Sequence, residues 1–324
     1  MSTDSPSQSP QSWHEHAAQT AYSAHGVTML PFYIFYSIFG FQRVADLIWA
    51  AGDSRARGFL IGATSGRTTL SGEGLQHQDG SSHVIAATFP NCVSYDPTYG
   101  YELAVIVQDG VRRMLDNQED VFYYLTVTNE NYRMPAMPAG VEEGILRGMY
   151  LLRAGSSSAK HRVQLMGCGT ILREVLAAAE ILERDYHVAA DVWSITSFTE
   201  LTRDGTGCER WNRLHPEAAP RVAWIEQSLR EHSGPVIAAT DYVRAFADPI
   251  RAWVDRPYTV LGTDGFGRSD TRELLRRFFE VDRAHITVAA LKALADQEAL
   301  PAATVSRAIE AFGIHADALA PWHA

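Results

Sequence analysis

The chain has 324 residues, of which 46% are hydrophobic and 20% charged, so it is long enough to bury more than one core. Its net charge of −10 and isoelectric point near 5.6 argue against a nucleic-acid-binding surface, because phosphate backbones are bound mainly by clustered Lys and Arg. Three scattered cysteines without Cys-x-x-Cys spacing argue against a disulfide framework and a structural zinc site, and they fit a reducing cytoplasm. We therefore expect a cytoplasmic protein of two domains.

The N-terminal residues 1–20 are predicted to form a disordered tail. Positions 2–12 are rich in Ser, Pro and Gln and show neither the basic start nor the apolar core of a secretory signal. The apolar run at 29–41 is too short to cross a bilayer, which takes roughly 20 residues. We therefore expect this run to be a buried segment of a soluble protein.

Alternating strand and helix patterns predict an α/β fold for residues 21–154. A short apolar strand at 59–62 leads into residues 64–82, which are rich in Gly, Ser, Thr and His and too polar for a core. Because ligand loops follow the carboxyl ends of strands in parallel sheets, this stretch is the expected ligand loop. The remaining predicted elements of this unit are a strand at 85–94, a helix at 98–115, a strand at 121–128 and a loop at 129–138.

A small, Ser-rich stretch at 155–160 marks the predicted boundary of a second α/β unit, residues 160–324. This unit begins with a strand at 163–166, after which Gly167-Cys168-Gly169 leads into a helix at 171–186. The two glycines are explained by a tight strand-to-helix turn, although a helix N-terminus after glycines also attracts phosphate. The later predicted strands are 192–196, 236–239, 258–261 and 286–288.

Three stretches of the sequence resemble a known family. They are Pro-Phe-Tyr-Ile-Phe-Tyr-Ser-Ile-Phe-Gly-Phe-Gln-Arg at 31–43, Gly-Glu-Gly-Leu-Gln-His at 72–77, and an aromatic strand that ends in a loop with two closely spaced prolines at 123–138. From about residue 22 to the C-terminus, the chain resembles the homodimeric-type pyruvate dehydrogenase first component, a thiamine diphosphate-dependent decarboxylase of the transketolase superfamily. The resemblance implies part of a thiamine-pyrimidine-binding domain, with a parallel sheet and flanking helices, followed by a transketolase-type C-terminal α/β domain.

His77 is the leading catalytic candidate. A loop with flanking carboxylates and glycines can present its imidazole for proton transfer or oxyanion binding, and an ordinary surface histidine is the alternative. The resemblance implies that His77 contacts the substrate-derived group and that Tyr36 faces the substrate. It also places Phe39 against the aminopyrimidine ring of the cofactor, with Arg43 either touching the cofactor or orienting the loop. The helical spacing of Tyr36, Phe39 and Arg43 is also typical of a core stripe.

The resemblance further implies that part of the active site lies outside this chain. The family uses a glutamate hydrogen-bonded to the pyrimidine ring, and alignment back from Met29 places that position at Gln8. Glu15 is the nearest acid, and its use would require a deletion in the sequence. The chain also lacks the Gly-Asp-Gly to Asn pattern of the family, and we assign it no metal ligand. We therefore expect a complementary partner chain to hold the magnesium and the diphosphate.

Three functions remain open at this stage. The chain is the C-terminal half of a split pyruvate dehydrogenase-like 2-oxo acid decarboxylase, which passes an acyl unit to a lipoyl carrier. Alternatively, it belongs to a split transketolase-like enzyme, which loads a two-carbon unit from a sugar phosphate onto a phosphopantetheinyl acyl carrier protein. The third hypothesis is a non-catalytic truncated remnant that folds and dimerises. We also expect self-association through residues 160–324.

Overall fold

The structure is a computed structural model in which two β-sheets with packed helices organise the chain. Nearly all of the predicted tail at 1–20 lies outside the described residues, and so do Gln8, Glu15 and Glu73. Within the described part of the chain, no helix combines the length and apolar character needed to cross a membrane. The described residues are 18, 20–70, 72, 74–157 and 159–324.

The first unit is a four-stranded sheet with flanking helices. Its elements are α1 (Ala21–His25), β1 (Phe32–Phe35), α2 (Phe41–Asp53), β2 (Phe59–Ala63), α3 (Ser82–Ala86), β3 (Cys92–Tyr95), α4 (Gly100–Leu115), β4 (Phe122–Val127) and α5 (Glu142–Arg147). All strands are parallel, in the order β1-β2-β4-β3. Apolar clusters cover both faces of the sheet, as a parallel sheet flanked by helices requires.

Strand β4 lies at the centre of this sheet, between β2 and β3. Its Tyr123, Tyr124 and Leu125 are fully buried, and Tyr123 and Tyr124 pair in register with Phe59 and Leu60 of β2. The sequence prediction of a buried strand here is confirmed, since aromatic residues pack well on a pleated surface. Because β1, β2 and β4 run in the same direction, the loops that follow them meet at one edge of the sheet.

The second unit is a five-stranded sheet. Its elements are β5 (Met149–Arg153), β6 (His161–Gly167), α6 (Leu172–Tyr186), β7 (Val188–Ile195), α7 (Phe198–Leu214), α8 (Trp224–Leu229), β8 (Val236–Ala239), β9 (Tyr258–Leu261), α9 (Arg272–Phe278), α10 (Arg283–Asp296) and α11 (Ala302–Ala311). The strand order is β5-β7-β6-β8-β9. Strand β5 is antiparallel to β7 at one edge, and the other pairs are parallel.

Successive residues of β6 face opposite sides of this second sheet. Leu165 packs into a cluster with α6, α10 and α11, while Met166 packs into a cluster with α7 and α8. The predicted α/β fold is therefore confirmed for both units. Strand β5 joins the second sheet although it precedes the predicted boundary at 155–160, and the domain limits themselves remain a prediction.

Two predicted strands are wrong. Residues 286–288 lie inside α10, where Ile286, Ala290 and Leu294 are buried at helical spacing. The Asp282 side chain accepts a hydrogen bond from the backbone N–H of His285 at 2.9 Å and so starts this helix. The predicted strand at 85–94 is mostly helix α3 and a turn, and only its last residues belong to β3. Short β-branched runs do not distinguish a buried helix from a buried strand.

Glu130 connects the two units electrostatically. It lies in the loop after β4, and its side chain is 12% exposed. Arg276 of α9 and Arg173 of α6 both donate hydrogen bonds to its carboxylate, and the Nε atom of Arg272 is 3.9 Å from Oε2. Burial opposes the charged form, but the hydrogen bonds and charges of Arg276 and Arg173 together lower the pKa of Glu130.

We expect Glu130→Gln to lower the free energy of unfolding at pH 7 by about 3 kcal/mol, because it removes the nearest counter-charge of the buried Arg276 guanidinium and leaves that group with Glu174, at 3.6 Å. A lowered carboxyl pKa contributes stability that is present above the unfolded value of 4.5 and is lost as the pH falls through the folded value. The difference between wild type and variant should therefore shrink below pH 4.5 in urea unfolding.

The matched control is Glu143→Gln. Glu143 is 70% exposed and pairs with Arg147 at 3.4 Å in the same helix turn. An exposed pair of this kind contributes at most about 1 kcal/mol. Equal effects of the two substitutions, or a Glu130→Gln effect that does not change with pH, would contradict the role of Glu130 as a link between the units.

Candidate active site

Three aromatic side chains cluster at the edge where β1 and β2 end. After β1, Tyr36 immediately precedes a 3₁₀ turn at Ser37–Phe39, and Phe39 ends that turn. His77 ends a 3₁₀ turn at Leu75–His77 in the loop after β2. The His77 ring centroid is 5.2 Å from that of Tyr36 and 5.2 Å from that of Phe39. Both loops follow carboxyl ends of parallel strands, where α/β sheets bind their ligands.

Arg43 joins this cluster from the first turns of α2. Its guanidinium carbon lies 3.9 Å from the centroid of the Phe39 ring, which is a cation–π distance. The structure thus brings together all four residues that the sequence singled out. Tyr36, Phe39 and Arg43 do not form the core stripe that their helical spacing also suggested. Their individual roles remain predictions.

The cluster offers an aromatic surface with polar groups at its margin. Tyr36 is 40% exposed, while Phe39 and His77 are half-buried, so a flat ligand has access to the rings. Such a surface fits a planar heterocycle with hydrogen-bonding edges, which describes an aminopyrimidine. Nowhere in the described ranges do three His, Cys, Asp or Glu side chains converge to hold a metal ion. The aromatic surface with polar groups at its margin has the chemistry to hold the pyrimidine ring of thiamine diphosphate.

Asp79 fixes the geometry between the two loops. This fully buried carboxylate accepts hydrogen bonds from Nε2 of Gln42 at 2.7 Å, from the backbone N–H groups of Ser81 and Ser82 at 3.0 Å each, and from the Ser82 hydroxyl. Gln42 precedes Arg43, and Asp79 follows His77 by two residues. The two segments of the ring cluster are therefore joined behind the site by one charged group.

The loop after β2 is largely buried, although its composition predicted a solvent-exposed ligand loop. Its Thr68 and Thr69 donate four hydrogen bonds, two from backbone N–H groups and two from hydroxyls, to the carboxylate of Asp241 at 2.6–3.2 Å. Burial raises the pKa of Asp241. Asp241 follows β8 in the second unit, and nothing in its local sequence indicated that it would pair with a loop in the first.

A second buried polar chain lies deeper between the units. Nε2 of His83 is 2.8 Å from the Thr126 hydroxyl, which donates to Oδ1 of Asp96 at 2.6 Å. The His83 ring stacks on Phe246 at 4.7 Å, and burial lowers the pKa of His83 to about 3. Burial also raises the pKa of Asp96 to about 7. His83 is therefore a neutral core residue, whereas Asp96 titrates near neutral pH.

Structural comparison places the fold in a known class. Transketolase from Leishmania mexicana superposes with a TM-score of 0.65 at 16% identity, covering 88% of this chain and 37% of its own. A split-gene transketolase, solved as an inactive β4 tetramer, superposes with a TM-score of 0.63 at 16% identity, covering 87% of this chain and 81% of its own. The fold and the ring cluster at its strand ends define a transketolase-type α/β protein.

Sequence comparison narrows this class to a family. Residues 8–135 match the pyruvate dehydrogenase E1 component middle domain, and residues 148–282 match the transketolase-like C-terminal domain. The pyruvate dehydrogenase E1 component of Pseudomonas aeruginosa is 60% identical over 299 residues, covering 92% of this chain. That of Escherichia coli K12 is 57% identical over 307 residues, covering 94% of this chain. The chain is similar to the C-terminal portion of pyruvate dehydrogenase E1 components, and it spans 34% of the length of these relatives.

We expect Asp96→Asn to change how the stability of the chain depends on pH. The folded chain retains the Asp96 proton up to about pH 7, whereas the unfolded chain releases it near 3.8. The stability that Asp96 contributes is thus present below 3.8 and is lost as the pH rises through about 7. Asparagine keeps an oxygen for Thr126 and does not ionise.

The measurement is urea unfolding of wild type and Asp96→Asn between pH 5 and pH 8, a range that brackets the pKa of about 7. The variant should gain stability relative to wild type as the pH rises. A difference that stays constant across this range would show that Asp96 is already ionised at pH 5 in the folded chain, so that its pKa is not raised.

Proposed function

We propose that this chain supplies the pyrimidine-facing half of the active site of a thiamine diphosphate-dependent 2-oxo acid decarboxylase, with pyruvate as substrate and a lipoyl group as acyl acceptor. The observation that carries the proposal is the cluster of Tyr36, Phe39, Arg43 and His77, in a chain 57–60% identical to pyruvate dehydrogenase E1 components. We further propose that the protein works in the cytoplasm, which fits its three free cysteines.

We assign each residue of the cluster a role that its position supports. The Phe39 ring packs against the aminopyrimidine. The Arg43 guanidinium, 3.9 Å from the centroid of the Phe39 ring, holds the Phe39 side chain in place. Tyr36 is exposed beside it, where its hydroxyl can orient a carboxylate or carbonyl oxygen. His77 presents an imidazole that can hold or move a proton at the substrate oxygen.

The overall reaction requires a cofactor that stabilises negative charge on carbon. When bound, thiamine diphosphate supplies this electron sink for cleavage of the bond between C1 and C2 of the 2-oxo acid. Carbon dioxide leaves, and the S–S bond of the lipoyl group breaks. One sulfur takes the two-carbon unit as an acyl thioester and the other becomes a thiol, so the disulfide accepts the two electrons that the substrate carbon loses. The residues of this chain bind, orient and exchange protons, and the electron transfer takes place between the substrate carbon and the lipoyl sulfurs.

We propose that a complementary polypeptide holds the diphosphate and the magnesium and supplies the glutamate for the pyrimidine ring. The support is that the chain spans only 34% of the length of the E1 relatives that it matches. The split-gene transketolase offers a precedent in which a chain of similar fold and extent is a separate polypeptide that is inactive as a β4 tetramer.

Pyruvate is preferred over a ketose phosphate because the sequence similarity is to pyruvate dehydrogenase E1 components. The similarity to transketolases, at 16% identity, concerns the fold alone. Transfer from a ketose phosphate to a phosphopantetheinyl carrier, and a non-catalytic remnant, are therefore alternative outcomes of the experiment below.

We expect thiamine diphosphate with magnesium to bind when the chain is mixed with a polypeptide that corresponds to the upstream part of the E1 relatives, and not to bind to the chain alone. In this mixture, Phe39→Ala should weaken cofactor binding roughly tenfold, because the aromatic surface for the pyrimidine is lost. Isothermal titration measures both. Carbon dioxide release from pyruvate with a lipoyl acceptor then tests the substrate.

The matched control is Leu115→Ala, which removes a 39% exposed apolar side chain at the far end of α4 and should leave the affinity unchanged. No binding in the mixture would support the non-catalytic remnant. Binding without decarboxylation of pyruvate, but with turnover of a ketose phosphate, would support the transketolase-like alternative. Equal binding by the chain alone would contradict the complementary polypeptide.

A further inference from the structure

The residue after His77 is held by the second unit through a two-way amide contact. The Gln78 side chain is 3% exposed, and its Nε2 donates to the backbone oxygen of Arg268 at 2.6 Å. Its Oε1 accepts from the backbone N–H of Arg268 at 2.8 Å. Nε2 also donates to the Leu70 oxygen at 3.1 Å, within the same loop. The Gln78 amide and the Arg268 backbone thus exchange two hydrogen bonds, as two paired residues of neighbouring β-strands do. The two loops are about 190 residues apart in sequence.

Gly267 permits this approach. A Cβ atom at this position would lie 2.7 Å from the Leu75 oxygen and 2.8 Å from Oε1 of Gln78. Both distances are shorter than side-chain carbons tolerate, so any larger residue would push the 3₁₀ turn of His77 away from the second unit. The backbone N–H of Val243 adds a further contact, to the Gly80 oxygen at 2.8 Å.

Arg67 fixes the same two loops from the other side. This guanidinium is buried and donates to the backbone oxygens of Thr263, at 2.9 Å, and of Gly265. It lies directly against Gly80, where a Cβ atom would come within 2.3 Å of its Nη2. The loop at 263–268 is therefore attached near its start by Arg67 and at its end by Gln78.

We propose that the loop at 263–268 of the second unit positions His77, with Gln78 and Gly267 as the positioning residues. The sequence predicted only self-association for this unit. The contacts instead make the position of His77, relative to Tyr36 and Phe39, depend on the second unit. The positional claim concerns this chain alone, and its catalytic consequence rests on the proposed function.

The test is to follow the His77 ring in the full-length chain by NMR with ¹³C-labelled histidine, assigning its signal by its loss in His77→Gln. The rings of Tyr36 and Phe39, both 5.2 Å away, shift the His77 signal from that of a free imidazole. In Gln78→Ala and Gly267→Ala, most of this shift should disappear. Amide hydrogen exchange at 75–80 should rise roughly tenfold as the hydrogen bonds to Arg268 are lost.

Three variants serve as controls. Gln76→Ala truncates an exposed side chain in the same 3₁₀ turn, and Gly207→Ala adds a methyl group to open space on α7. Arg272→Ala removes a different contact between the units, since its Nε donates to the Thr69 oxygen at 2.6 Å and its Nη2 to Asn129 at 3.1 Å. All three should leave the His77 signal in place, although Arg272→Ala should lower the melting temperature.

Two results would overturn the positional claim. One is an unchanged His77 signal in folded Gln78→Ala and Gly267→Ala. The other is a change of the His77 signal in Arg272→Ala as large as in these two variants, which would mean that loss of any contact between the units displaces His77. The proposed function fails separately, if the reconstituted mixture binds no thiamine diphosphate or if His77→Gln retains full kcat. If Gly267→Ala does not fold, Gln78→Ala alone decides, because it adds no atoms.

Discussion

Two carboxylates, Asp79 and Asp241, are buried where the two sheets meet, and the loops of the candidate site are organised around them. A buried carboxylate without partners costs several kcal/mol, so each must be surrounded by donors. Asp79 takes its donors from α2 and from the start of α3, and Asp241 takes its donors from Thr68 and Thr69. Asp241 lies in the second unit and its donors lie in the first, so its charge is satisfied only when both units are in place.

This requirement explains why a polar loop packs as if it were core. Ser65, Thr68, Thr69 and Gln78 are all nearly inaccessible to solvent, and hydrogen bonds rather than apolar contacts hold them there. Buried polar networks of this kind are costly when incomplete and rigid when complete. A rigid frame behind the ring cluster suits a site that must hold a planar ligand and an imidazole in a fixed relation.

Sequence reasoning reached those features that depend on local patterns. The aromatic run at 123–128 indicated the central strand, and the family resemblance singled out four residues that the structure brings into one cluster. Sequence reasoning failed where the local structure or the contact of a residue depends on residues far away in the chain. The run at 286–288 is helical because of the cap at Asp282 and the buried face of α10. No local signal connects Gln78 with Arg268, whose contact depends on how the two units pack.

The most direct test of the proposed function is a structure of this chain with its complementary polypeptide, thiamine diphosphate and magnesium. The account predicts the aminopyrimidine on the ring of Phe39, with Tyr36 and His77 on the side from which the substrate approaches. It also predicts that every magnesium ligand comes from the complementary polypeptide. A cofactor bound away from Phe39, or a magnesium ion held by residues of this chain, would contradict it.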